Sequence, residues 1–96
     1  MSDGANKNIK DLLEAFLRQS TFKKKLDQER IRELWQSLYG HNIAAYTQSL
    51  KLRDGILTVR LTSAPLRDEL VRNRREIIRR LNEELGEEVI TEIKFL

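Results

Sequence analysis

Residues 72–80 read RNRREIIRR, setting Arg72, Arg74, Arg75, Arg79 and Arg80 against a single acid, Glu76. A guanidinium is permanently charged and presents a planar fork of donors that matches phosphate oxygens two at a time. The chemistry open to such a cluster is anion capture, with a nucleic-acid backbone as the extended form of the ligand. The competing reading is a helix face that arginines merely keep wet. Helical spacing helps to separate the two. Arg72 has Asp68 and Glu76 within one turn, Arg79 has Glu76 and Glu83, and Arg80 has Glu76 and Glu84. Such pairs stabilise a helix by about 0.2–0.5 kcal/mol each and cancel part of the field a ligand would feel. Arg67, Arg74 and Arg75 have no acid three or four positions away. Arg67 and Arg74 stand seven apart and are expected to share a face beside Val71 and Ile78, inside the apolar stripe. An arginine there must run its stem along the core edge, pair beyond its own helix, or meet a ligand. Arg72, Arg75 and Arg79 are expected to line a second, more exposed strip.

A second basic group, Lys23, Lys24 and Lys25, falls between the first two predicted helices. It reads either as a solvated junction or as a landing point for phosphates, giving affinity without sequence preference. Lys51, Arg53 and Arg60 decorate a predicted hairpin, the first two facing away from the core. Of the six aromatic residues, Phe16, Trp35 and Phe95 lie on apolar stripes and are expected in the core. The hairpin carries no exposed aromatic pair, which disfavours binding led by base stacking.

Catalysis finds no support. His41 is the only histidine and there is no cysteine, so thiolate sites and disulfides are excluded and no metal-ligand spacing exists. The serines lack a nucleophile-elbow context, and no glycine-rich loop could cradle a phosphate. The chain is expected to be no enzyme, to need no cofactor or metal, and to take no small-molecule substrate.

These groups sit on a chain of 96 residues, 40% apolar and 34% charged, with net charge +3. That is one small domain, with a weak lean toward polyanions. No apolar run approaches the length of a membrane span, and the first residues lack a signal-peptide core. The expected location is the cytoplasm, with no membrane partner.

The elements that must position these side chains follow from periodicity. Residues 1–7 read as a mobile terminus and 8–96 as one domain. Ile9, Leu12, Leu13, Phe16 and Leu17 mark a first amphipathic helix. Asp27 is a candidate N-cap for a second helix, stapled by Leu26 and Ile31, with Ile31, Leu34, Trp35 and Leu38 facing inward and Gly40 as its stop. Leu50 and Leu52, then Leu57, Val59 and Leu61, alternate around Asp54-Gly55, the pair favoured by a type I′ hairpin turn. Ser63 and Pro65 open one long third helix, with Leu66, Leu70, Val71, Ile77, Ile78, Leu81 and Leu85 on its apolar side and Gly86 at its end. The segment EEVITEIKFL reads as a third strand, with Val89, Thr91, Ile93 and Phe95 on one face. The order α-α-β-β-α-β predicts an α+β fold: a three-stranded sheet with helices packed on one face and the third strand parallel to the second.

Several of these residues form a specific string when taken in order and spacing. Trp35 is followed by Gly40, Ile43-Ala44 and Thr47; then come Gly55-Ile56-Leu57-Thr58-Val59, Leu66-Arg67-Asp68-Glu69-Leu70, Leu81-Asn82 with Leu85-Gly86, and Val89 with Ile93. Over roughly residues 8–96 the chain resembles the bacterial DciA-like family, long catalogued as a domain of unknown function. The resemblance implies a KH-like fold and a role in starting replication, with the replicative DNA helicase and DNA, single-stranded or tailed, as partners. KH domains that clamp nucleic acid use a GxxG loop, and none of the four glycines here makes one, so contact with nucleic acid must take another form. Many family members also carry a flexible basic segment beside the folded domain.

The leading expectation is therefore a non-enzymatic replication accessory protein. It would bind DNA phosphates through Lys23, Lys24, Lys25, Arg67, Arg72, Arg74, Arg75 and Arg79 and assist helicase loading. The first helix is the segment expected to meet the partner, unless its stripe packs on the sheet or on the second helix. The alternatives are a KH-like RNA-binding module and a protein-interaction adaptor without nucleic-acid binding.

Overall fold

A computed structural model describes residues 8–15 and 21–96 of the chain. Residues 8–15 are helical (α1). They are followed by α2 (Thr21–Ala45), β1 (Thr47–Arg53), β2 (Ile56–Leu61), α3 (Ala64–Arg72), α4 (Arg74–Leu85) and β3 (Glu92–Phe95). The terminus 1–7, Phe16 and Leu17 lie outside the described residues.

The hairpin forms as the sequence predicts. β1 and β2 pair antiparallel, and Asp54 and Gly55 turn the chain with φ of 51° and 81°, the paired left-handed conformation of a type I′ turn. β3 joins the other side of β2 in parallel, so the sheet order is β1-β2-β3 with β1 at an edge. Leu57, Val59 and Leu61 of β2 are buried, whereas Arg60 between them is exposed. Against their face pack Ile31 and Trp35 from α2, Leu70 from α3, and Ile77, Leu81 and Leu85 from α4, closed by Ile90 and Ile93. The architecture is the expected α+β one, with one helix more than the predicted order.

That extra helix comes from Asn73. The expected single helix from Ser63 to Gly86 is broken there, at φ −105° and ψ 14°. The Asn73 side chain donates through Nδ2 to the Glu69 carbonyl at 2.9 Å, a bond that competes with helix continuation. Its own carbonyl accepts from Ile77 N and starts α4. The seven-residue spacing of Arg67 and Arg74 therefore does not place them on one face, because they stand on different helices. Val71, expected in the apolar stripe, is exposed at the break.

Three further expectations are corrected. Helix α2 starts before Asp27, which is no N-cap: it is 6% exposed inside the helix and bonded by Lys23 at 2.6 Å. Leu26 remains exposed, so no staple forms. Gly40, by contrast, stops the first helical stretch as expected: it stands at φ 82° and ψ 176°, a non-helical conformation essentially confined to glycine, and a further short helical stretch runs on to Ala45 beyond the kink. Near the end of the chain the predicted alternation slips. Ile90 is fully buried and Thr91 exposed, because Asn82 holds the Val89–Ile90 backbone in a non-strand path.

Candidate nucleic-acid interface

The break at Asn73 concentrates charge. Val71, Arg72, Asn73, Arg74, Arg75 and Glu76 line one shallow depression around the α3–α4 junction. Arg72, Arg74 and Arg75 are all exposed.

The arginines divide by partner. Arg79 lies between two acids, with Nη2 2.6 Å from Glu76 Oε1 and Nη1 2.6 Å from Glu83 Oε2, as the spacing predicts. The Arg79 hydrogen bond holds the Glu76 carboxyl below its ordinary range, and the two acids push the Arg79 guanidinium further up. Arg72 is paired too, but with Glu69 at 2.9 Å rather than with Asp68 or Glu76. Arg80 forms no ion pair among the described residues; its guanidinium lies over the Tyr39 ring, 5.8 Å from the centroid. Arg74 and Arg75 form no ion pair among the described residues. Neither does Arg67, which is half-buried on α3 and does not line the junction.

The lysine group is placed differently from its expected setting. Lys23, Lys24 and Lys25 stand in the first turns of α2 rather than between helices. Lys23 is mostly buried and bridges Asp27 and, at 3.5 Å, Glu87. Lys24 and Lys25 are exposed, and Lys24 lines a surface depression with Arg53, Asp54 and Glu87. That depression sets three acids, Asp27, Asp54 and Glu87, against its cations, whereas the junction sets only Glu76 against three arginines.

The residues of the ordered string are structural in this arrangement. Trp35 Nε1 donates to Thr47 Oγ1 at 2.9 Å, and Thr47 Oγ1 donates to the Ile43 carbonyl at 2.7 Å, tying the kinked end of α2 to the start of β1. Asn82 Oδ1 accepts from Val89 N and Ile90 N, and its Nδ2 donates to the Ile90 carbonyl. Trp35 packs against Tyr39 with ring centroids 5.1 Å apart. Burial pushes the Tyr39 phenol up, and its hydroxyl is buried without a hydrogen-bond partner among the described residues. Tyr46 and Phe22 are exposed, as is His41.

The spacing rules missed Gln28 and Asn73. Gln28 Nε2 donates to the Leu50 carbonyl at 2.7 Å, and its Oε1 accepts from Leu52 N at 2.8 Å. A glutamine on a helix gives no local sign of a contact 22 residues away. Asn73 did carry a signal: an asparagine inside a helical pattern favours side-chain bonds to nearby backbone over helix continuation. Among the described residues there is no cluster of three or more histidines, cysteines or acids able to hold a metal ion, and no helix long and apolar enough to cross a membrane.

No curated protein matches the sequence. A family does: the sequence pattern described as "Dna[CI] antecedent, DciA" matches residues 8–95, nearly the whole chain. The chain belongs to the DciA family, whose role in bacterial DNA replication is related to loading of the replicative helicase.

Proposed function

We propose that this protein is a non-enzymatic replication accessory factor of the bacterial cytoplasm. It holds single-stranded or tailed DNA by its phosphates at the α3–α4 junction and presents α1 to the replicative helicase. The observation that carries the DNA half is the pair Arg74 and Arg75, exposed and without an acid partner among the described residues. Their charge is not cancelled, and guanidinium forks match phosphate oxygens. Arg72 borders the site, giving up an exposed pair with Glu69 worth at most about 1 kcal/mol. Arg79 would have to leave two carboxylates, so it contributes less. Arg67, Lys24 and Lys25 extend the basic field as the duplex or strand passes, and Lys23 stays with Asp27.

The helicase half rests on α1. Ile9, Leu12 and Leu13 are 57%, 69% and 57% exposed, an apolar stripe that the other described residues leave largely uncovered. A factor without an ATP site biases its target by binding one state better than another. An amphipathic helix offered to a groove is a recurring way to do that.

The test is fluorescence anisotropy of a labelled oligothymidylate with the whole chain. Arg74→Ala/Arg75→Ala is expected to weaken binding by about tenfold, that is about 1.4 kcal/mol. Arg79→Ala is expected to change it less than threefold. Equal losses for the two variants, or none for the double variant, would move the site elsewhere. Tighter binding of an RNA hairpin than of matched DNA would assign the junction to RNA.

A further inference from the structure

Among the described residues β1 pairs with β2 alone, so its other side is a sheet edge. Leu50 and Leu52 turn backbone groups toward that side, where the Gln28 carboxamide meets both. A carboxamide is a peptide group carried on a side chain. Gln28 thus fills, with one donor and one acceptor, a single peptide position of a strand that the sheet lacks. Toward the start of β1, Thr47 pairs with Leu61 and Ser49 with Arg60, which leaves Gln48 as an extra residue with no partner across the ladder.

Beside this stretch runs a groove of ≈ 560 Å³ between α2 and β1. Gln28, Arg32, Trp35 and Gln36 form its helix wall, and the strand from Thr47 to Lys51 forms the other. Its charged lining residues are Arg32 and Lys51, both exposed, with no acid among them. Neither takes part in an ion pair among the described residues.

We propose that this groove binds an extended, acidic peptide segment of a partner protein, which adds to β1 as a fourth strand. An exposed edge offers donors and acceptors in alternation, and only a chain carrying both can pair with it. A phosphodiester backbone supplies acceptors alone and leaves the strand carbonyls unmet. The peptide runs along Gln48 to Leu50 and ends against Gln28, which sets its register. Its acidic side chains meet Arg32 on the helix wall and Lys51 on the strand. The same two cations oppose edge-to-edge pairing between copies of this chain. The site is separate from the α3–α4 junction and does not depend on DNA being bound there.

Trp35 lies under the groove but is only 1% exposed, so occupancy is read on the ligand, by the anisotropy of a labelled peptide. The whole chain is titrated with a capped, fluorescently labelled peptide of alternating valine and glutamate. A second titration uses the same peptide N-methylated at every other residue. The first is expected to bind, and the N-methylated form to bind at least about tenfold more weakly. Lys51→Glu reverses one of the two lining cations and is expected to weaken the glutamate peptide by a similar factor. Arg32→Glu is expected to reverse the preference toward a valine–lysine peptide. If either variant fails to fold, the two peptides on the unaltered chain still decide. No binding of the glutamate peptide, or equal binding of the N-methylated form, overturns the proposal. Displacement of the peptide by oligothymidylate in the Arg74→Ala/Arg75→Ala variant overturns it as well, by giving the groove to nucleic acid.

Discussion

Arg75 and Arg79 stand one turn apart on α4, yet Arg79 is clasped by Glu76 and Glu83 at 2.6 Å each while Arg75 meets no acid among the described residues. The difference is set by what stands one turn away from each. Arg79 has acids at three positions before it and four after, whereas Arg75 has Val71, Arg72, Ile78 and Arg79. One arginine is engaged with its own helix and the other is available to a ligand.

The Arg79 clasp has a consequence for acid titration. Glu76 is held below its ordinary range in the folded chain, chiefly by the Arg79 hydrogen bond. A depressed folded value stabilises the fold above the unfolded carboxylate range, and that contribution is lost as pH falls through the folded value. Arg79→Ala is expected to bring the Glu76 midpoint back up toward the ordinary carboxylate range, read by the side-chain carbon shift in an NMR pH titration. An unchanged midpoint would mean that the pair does not form in solution.

Asn82 acts as the latch of β3. Three hydrogen bonds from one side chain hold the backbone at Val89 and Ile90 and so place Ile93 in the core. Asn82→Ala is expected to lower stability by about 2–3 kcal/mol, since partly buried backbone groups lose their partners. Asn82→Asp keeps the two acceptor bonds and should cost less. Urea unfolding curves of the two variants give the comparison.

Tyr39 points the other way. Its hydroxyl is buried and unpartnered among the described residues, and the ring is already held by Trp35 and Arg80. Tyr39→Phe is expected to leave stability unchanged or to raise it by up to about 1 kcal/mol. A clear loss in melting temperature would show that the hydroxyl has a partner in solution.

Ile9, Leu12 and Leu13 of α1 are not among the described residues that form the core cluster. Leu12→Asp is expected to leave the melting temperature within about 4 °C of the unaltered chain, because surface changes rarely exceed about 0.5 kcal/mol. The same change is expected to abolish co-purification with the replicative helicase. A large fall in stability would place the stripe inside the fold and remove it as a partner surface.

The glycines at the two bends separate strain from crowding. Gly40 and Gly55 both hold positive φ, but an added Cβ meets nothing within 4 Å at Gly40 and lies 2.9 Å from Thr91 Oγ1 at Gly55. Gly40→Ala is expected to cost about 1–3 kcal/mol from backbone strain alone. Gly55→Ala should cost more, since Thr91 also bonds the Gly55 carbonyl. Equal melting temperatures for the two variants would mean that Thr91 moves aside freely.

Much of this architecture was legible where local rules and the tertiary fold agree. Alternation around Asp54-Gly55 marked the hairpin, and the 3.6-residue stripes marked Ile31, Trp35, Leu70, Ile77, Leu81 and Leu85 as core. Boundaries failed where a side chain competes with the backbone. Asn73 split a helix whose apolar period runs straight through it, and Asn82 moved Ile90 inward against the strand alternation. Asp27 had the residue type of a cap but is buried by pairing with Lys23, a contact whose spacing was visible and whose burial was not. At the candidate site, acid-free neighbourhoods identified Arg74 and Arg75 from sequence. Their gathering at a helix break, and the loss of a common face with Arg67, depended on Asn73.

The most direct test of the central claim is the salt dependence of DNA binding. Each phosphate contact adds roughly −0.7 to the slope of log affinity against log salt for a single strand. Arg74→Ala/Arg75→Ala should make that slope shallower by about 1 to 1.5, while Arg79→Ala should leave it within error of the unaltered chain. A slope unchanged by the double variant would contradict the account, because the two unpaired arginines would then hold no phosphate.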